Sequence, residues 1–233
     1  MRAARRHGAL HLVPALGRAD RNSLQDSVYD KLRSAVMFGK LVPGQPVSIT
    51  GLASSLGTSP IPVREATRRL AAERAIEILP NGSIAIPAMT QDRFVDLRRT
   101  RVLIERFATS LAAPRITDAH LKRMTVASEK RKTACGARNL RNALHFAYRF
   151  RLILFEAAGS PALLPMIESL WLQVGPFFNF ALTTPMQTVS TRYQQNVLEA
   201  LQAGDSASAC QWIERDIMEV GDLILAALAG PST

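Results

Sequence analysis

Cysteine is almost absent from this chain: two in 233 residues, Cys135 and Cys210, far apart and outside any Cys-x-x-Cys pairing. That excludes a disulfide framework and a zinc finger, and fits two small semi-buried apolar residues in a reducing compartment. Histidine is scarce too, and His7, His11, His120 and His145 do not fall at the spacing of a metal-ligand set. There is no glycine-rich phosphate loop and no convincing nucleophile–base pair, so the chain is not expected to be an enzyme. Long apolar runs are missing as well. The Arg-rich opening (Arg2, Arg5, Arg6, Arg18, Arg21) interrupts its short apolar part with His11 and Pro14. A secretory signal needs a cleaner run, and a membrane span needs about 20 apolar residues. Residues 1–22 therefore read as a basic, disordered arm, either a solvated tail or a phosphate contact. The expected location is cytoplasmic.

What the chain does have is positive charge and helical periodicity. The formal charge is +10, with 12 basic against 6 acidic residues in 1–90 and 17 against 13 in the remainder. An excess densest at the N-terminal end suits a phosphate-facing surface. Leu24, Val28, Leu32 and Val36 recur every four residues and predict an amphipathic helix ending at Gly39. After the turn Leu41-Val42-Pro43-Gly44, the residues Ile49, Leu52, Ala53 and Leu56 mark a second helix, stopped by Gly57. Ser59 is placed to cap a third, with Pro60 and Pro62 in its first turn, where backbone N–H groups have no intrahelical partner to lose. Val63, Ala66 and Leu70 face inward, Arg64 and Arg68 outward, and Glu65 and Arg69 are spaced for an i, i+4 pair. A hairpin follows: Ala75–Leu79, Asn81-Gly82 and Ser83–Pro87, with Ile76/Ile78 and Ile84/Ile86 alternating.

Two short helices, a tight turn, a basic third element and a hairpin in this order predict a winged helix-turn-helix over residues 23–89. Arg64 sits near the start of the third helix, where a bidentate donor reaches the O6/N7 edge of guanine. Arg68 and Arg69, further along, suit phosphate contact, which positions without specifying.

The same residues resemble the GntR family of transcription regulators. The resemblance rests on Val28-Tyr29-Asp30-Lys31-Leu32-Arg33, Gly39-Lys40-Leu41-Val42-Pro43-Gly44, Leu52-Ala53-Ser54-Ser55-Leu56-Gly57, Pro62-Val63-Arg64-Glu65-Ala66, Arg69-Leu70 and Glu77-Ile78-Leu79-Pro80-Asn81-Gly82. It implies that Arg64 reads bases, that Ser59 and Arg68 contact the backbone, and that Gly82 lets the wing tip approach the minor groove. Thr50 joins these as a DNA-binding candidate. Two positions depart from the family pattern: Pro60, commonly Arg, and Thr50, often Arg or acidic. The implied half-site therefore differs from the family's usual one.

From Thr90 onward no strand pattern and no repeat is visible. Six helices are expected at about 90–113, 117–135, 137–158, 161–182, 186–203 and 205–229, making an all-α bundle with an interior cavity over residues 90–229. Trp171, Phe177, Phe178, Phe180 and Leu182 read as core or dimer packing. The block Asp96-Leu97-Arg98-Arg99-Thr100-Arg101-Val102-Leu103-Ile104-Glu105 looks like the opening helix of the FCD effector domain, which marks the fatty-acid-regulator-like (FadR-like) branch. Phe155-Glu156-Ala157-Ala158-Gly159-Ser160-Pro161 and Leu198-Glu199-Ala200-Leu201-Gln202-Ala203-Gly204-Asp205 extend that resemblance.

Many members of this branch hold a divalent metal with one Asp and three His. Those positions fall here on Ala147, Arg151, Gln194 and Asp216, which supply one carboxylate and a permanent cation, so no metal and no other cofactor is expected. Arg151 either clamps the carboxylate of a small organic acid, with Arg101, Tyr148, Gln194 and Asn196 nearby, or pairs internally with Asp216. The resulting expectation is mainly α: an N-terminal winged helix-turn-helix with a small β-hairpin wing, followed by an all-α six-helix bundle. Its partners would be double-stranded operator DNA, a small carboxylate effector and a second copy of itself, with no membrane. The alternative is an effector-independent DNA-binding dimer whose helical half is purely structural.

Overall fold

The structure, a computed structural model, describes residues 24–181 and 184–229, without the side chains of 179–190. The basic arm expected over 1–22, the side chain of Phe180, and Leu182 lie outside the described residues.

Helices α1 (Leu24–Met37), α2 (Ile49–Leu56) and α3 (Pro60–Ala72) form the N-terminal part. Three of the four stripe residues of α1 are buried: Val28, Leu32 and Val36 meet Val63, Ala66 and Leu70 of α3, all at 3% exposure or less, whereas Leu24 at the first position of the helix is exposed. Ser48 caps α2 by accepting the Gly51 amide at 3.0 Å. Ser59 takes the N-cap position of α3 in an extended conformation with prolines just after it, but its hydroxyl makes no capping bond.

Strands β1 (Glu77–Ile78) and β2 (Ile84–Ala85) pair antiparallel, Ile78 opposite Ile84, and Val47 bridges Ile84 on its other side. The turn between them differs from a two-residue Asn-Gly hairpin. The Leu79 amide donates to the Ser83 carbonyl and the Gly82 amide to the Leu79 carbonyl, both at 2.8 Å, so the loop is Pro80-Asn81-Gly82. Pro80 sits where a type I turn favours proline, and Gly82 adopts φ +78°, the left-handed residue that closes a three-residue hairpin. The expected alternation also fails at Ile78. Ile76, Ile84 and Ile86 are buried, whereas Ile78 on the outer strand is 49% exposed.

Six further helices complete the described chain: α4 (Gln91–Ala112), α5 (Asp118–Gly136), α6 (Leu140–Ala157), α7 (Leu163–Val174), α8 (Thr184–Gln202) and α9 (Ser206–Ala229). Thr90, Thr117 and Asn139 cap α4, α5 and α6. Phe94, Met124, Phe150, Leu154, Leu172 and Ile213 fill the space between them. The single helix expected over 161–182 is instead α7 followed by a 3-10 segment, Gly175–Ala181. Pro176 lacks the amide an α-helix needs. Gly175 also lies against α1, where an added Cβ would fall 2.3 Å from the Met37 carbonyl oxygen. Trp171, Phe177 and Phe178 are buried, as expected of core residues.

That contact is one of several tying α1 to the helical part. The Arg33 guanidinium lies 3.3 Å from Glu168 of α7, and the Tyr148 hydroxyl donates to the same carboxylate at 2.9 Å. Phe38 meets His145 and Tyr148 edge-on at 5.1 and 5.9 Å between ring centroids. Gly175→Ala forces the Met37 backbone to give way, and overpacking of this kind costs about 1–3 kcal/mol. Urea unfolding of the full chain measures it; a variant as stable as the parent would show this approach to be slack.

Candidate nucleic-acid interface and buried charge cluster

The outward face of α3 carries three guanidiniums in three different situations. The Arg64 guanidinium is exposed and makes no ion pair or hydrogen bond among the described residues. Arg68, also exposed, donates to Glu65 at 2.8 Å, one turn back. Arg69 does not pair with Glu65 as its spacing suggested. It turns toward α1, stacks 3.8 Å over the Tyr29 ring and donates to Asp26 at 2.9 Å. Helix packing decides this: Arg69 flanks the buried α1–α3 seam, and the aromatic face of Tyr29 is a better seat than water for the guanidinium. Tyr29 in turn donates to Glu73 at 2.5 Å, and burial together with that carboxylate pushes its pKa up to about 12.

Ser59 is exposed at the start of α3, Thr50 is exposed on the first turn of α2, and Gly82 is exposed at the wing tip. The Thr50 hydroxyl donates to Ser48 at 3.3 Å. Ile61, one turn before Arg64, is 69% exposed. Sequence reasoning overlooked it, although an apolar residue on the polar side of an amphipathic helix is a readable signal.

A second constellation lies inside the helical part. Glu105 of α4, fully buried, accepts the Arg101 Nε–H on one oxygen and an Arg151 Nη1–H on the other, each at 2.7 Å. Arg151 spends its second nitrogen on Asp216 of α9. Arg101 lies 4.8 Å and Arg151 6.0 Å from the centre of the Trp171 ring. Arg131 of α5, 3% exposed, is the fifth charge, bonded to the Thr191 hydroxyl at 3.3 Å. Burial penalises both Arg131 and Arg151, with opposite outcomes. Glu105 and Asp216 raise the Arg151 pKa above its usual value despite that penalty. Around Arg131, burial outweighs the help of Asp216 and Cys135, and Arg151 repels it, so its pKa is lowered. Among the described residues Arg131 Nε, Asp216 Oδ1 and Gln194 Oε1 are buried without a hydrogen-bond partner.

Of the residues singled out from sequence, Arg101, Arg151 and Asp216 therefore meet in one cluster. Gln194 is buried on α8, one turn beyond Thr191; Asn196, two residues on, occupies a different, half-buried face. Tyr148 donates to Glu168 in the contact with α1, and its ring lies 5.3 Å from that of Trp171, which borders the cluster. Glu105 and Arg131 were missed as members. Both left a signal: Glu105 is four residues from Arg101, and Arg131 interrupts the buried stripe Met124, Ala127, Ala134.

Comparison with known proteins gives these parts a common origin. The profile of the bacterial regulatory proteins of the GntR family matches residues 24–86, and that of the FCD domain matches residues 96–218, more than half of the chain. The chain belongs to the GntR family, in its FCD-containing branch. HTH-type transcriptional regulator McbR of Escherichia coli is 27% identical over 216 residues, covering 91% of this chain and 97% of McbR. A probable D-xylose utilization operon transcriptional repressor of Paenarthrobacter nicotinovorans is 26% identical over 188 residues, 81% of this chain and 83% of that protein. The solved structure of E. coli McbR/YncC superposes with a TM-score of 0.82 at 25% identity, over 87% of this chain and 97% of that one. A putative GntR regulator from Rhodococcus sp. RHA1, 20% identical, shares the fold with a TM-score of 0.73 over 87% of this chain and 97% of its own. This GntR-family protein is thus a DNA-binding transcriptional regulator, mainly helical, with a helix-turn-helix, a two-stranded wing and an all-helical C-terminal domain.

Its buried cluster does not fit the divalent metal that the FCD branch implies. Arg151 and Gln194 occupy two of the four ligand positions and Ala147 a third, while the fourth, Asp216, accepts a guanidinium. No group of three or more His, Cys, Asp or Glu among the described residues could hold a metal ion. No described helix is long and apolar enough to cross a membrane.

Proposed function

We propose that this regulator reads its operator through Arg64 and that its helical domain senses a small organic acid without a metal. In this reading residues 23–89 form the DNA-binding unit and residues 90–229 the effector-binding and dimerisation unit, and two copies place their α3 helices on the halves of a pseudo-palindromic site. Arg64 contacts a guanine edge and Ile61 a thymine methyl. Ser59, Thr50 and Arg68 seat the helix on phosphates, and Gly82 brings the wing tip to the minor groove. Arg69 supports α3 from the α1 side.

The observation that carries the sensing half is uncompensated charge. Arg101, Arg131 and Arg151 are buried, and among the described residues only Glu105 and Asp216 are buried carboxylates to balance them. A buried net positive charge is costly unless an anion joins it, and a ligand carboxylate supplies one together with an acceptor for Arg131 Nε. Arg151 then acts through its carboxylate partners and Arg131 is the open donor. The effector must bind the DNA-competent and DNA-incompetent arrangements with different affinity, or it shifts nothing.

Isothermal titration of the full chain with a panel of small carboxylic acids tests this. One acid is expected to bind and to change operator affinity. Arg131→Met should lose that binding at least about tenfold while leaving resistance to urea unchanged or increased, because an undercompensated buried charge has been removed. Binding that survives Arg131→Met would overturn the assignment. The alternative, a purely structural bundle, draws on the full pairing of Arg151 within the chain; it predicts that no acid in the panel alters operator affinity.

A further inference from the structure

Helices α5 and α6 carry cations on both sides. Arg131 and Arg151 point inward, whereas Lys122, Arg123, Lys130 and Arg149 line a groove of about 350 Å³ on the outer side of the same two helices. That volume is within the range of small-molecule pockets, about 300–1,000 Å³. Among the described residues no acidic side chain lines the groove. Arg123 has a partner at the rim, Glu156 at 3.5 Å, but Lys122, Lys130 and Arg149 make no ion pair among the described residues. The floor and walls are apolar: Val126, 49% exposed, Phe146, with the Lys130 ammonium 5.7 Å from its ring centre, and the buried Ile153. His145 closes one end, and its ring touches Phe38 at the end of α1. His145 and Arg149, one turn apart on α6, both line this groove.

We propose that this groove is a second binding site, independent of the interior cluster, for a small amphipathic anion: one acidic group on an apolar or aromatic body. Unpaired cations at the rim and exposed hydrophobic surface between them match the two ends of such a molecule; the cations alone would be satisfied by water and solvent ions, whereas the apolar surface beside them would not. Its body would lie along Val126 and Phe146 with the acidic group between Lys130 and Arg149. An occupant there touches His145 and so bears on Phe38 and α1.

The probe is 8-anilinonaphthalene-1-sulfonate, followed by fluorescence with the full chain and displaced by decanoate. Wild type should show one saturable, decanoate-competed site, and Lys130→Glu/Arg149→Glu should weaken it at least about tenfold, since two attractions near an anion become repulsions. Arg99→Glu/Lys132→Glu makes the same change of net charge at exposed positions outside the groove and should leave binding as it was. Should the groove double fail to fold, Val126→Asp, at an exposed wall position, is expected to give the same loss. Unchanged binding in the groove variants, an equal drop in the control, or loss in Arg131→Met alone overturns the proposal. So does dissociation of the oligomer by the groove double in sedimentation, which makes the groove a contact between copies. A matching loss of operator affinity, absent from the control, would make it a phosphate-binding surface and overturn it equally.

Discussion

Arg64→Ala is expected to abolish discrimination between operator and scrambled DNA, at a loss of about 1–3 kcal/mol on the operator and little on random sequence. The side chain is exposed and has no partner among the described residues, so its removal leaves the α1–α3 core and the fold untouched. The effect is therefore confined to recognition. Arg68→Ala provides the contrast. Arg68 is held by Glu65, an exposed pair that contributes little to stability, and its loss should weaken binding about equally on all sequences and reduce the salt dependence by about one ion. Arg69→Ala should act differently again, through the Tyr29 and Asp26 contacts that fix α3 on α1, and appear first in stability. Fluorescence anisotropy with operator and scrambled duplexes at several salt concentrations separates the three. A footprint on the cognate promoter that Arg64→Ala leaves unchanged would remove this residue from the reading head.

The residues that stated their role in the sequence are those whose role depends on local spacing. Val28, Leu32 and Val36 of α1, the Gly57 stop of α2 and the prolines in the first turn of α3 are set by neighbours a few positions away, and local spacing reads them directly. The break of α7 was hidden for the opposite reason. Pro176 hints at it, but the second cause is the Met37 backbone, more than a hundred positions earlier. Arg69 shows the same limit within the winged part. Its i−4 neighbour Glu65 was the visible partner, yet the partners it takes, Asp26 and Tyr29, lie across the helix seam. The interior cluster was half legible. A cation at a position where the family resemblance implies a metal ligand drew attention to Arg151 and Asp216, while nothing local marked Glu105 as their partner. Burial separates a solvated salt bridge from the centre of a charge network, and burial is a tertiary fact.

Glu105 is where the largest loss of stability is expected. It is fully buried and holds two guanidiniums, so Glu105→Ala leaves Arg101 and Arg151 buried beside Trp171 with Asp216 as the one remaining carboxylate of the cluster among the described residues. Removing one partner of a buried ion pair costs about 3–5 kcal/mol, because the remaining charge stays in a medium that cannot solvate it. Size is not the main term. Glu105→Gln keeps the shape and one acceptor, yet should still be clearly destabilised, since the missing quantity is charge. This gives the network a sharper test than either change alone. Arg131→Met removes one buried positive charge at little or no cost, and combined with Glu105→Gln it restores the excess of one that the parent carries. The double variant should therefore be less destabilised than the sum of the two single changes, by more than the roughly 0.3–0.5 kcal/mol within which independent sites add. Urea unfolding of the parent, the two single variants and the double closes the cycle. Strict additivity would mean that Arg131 and Glu105 do not share one electrostatic site, and the charge argument for an anionic effector would lose its ground.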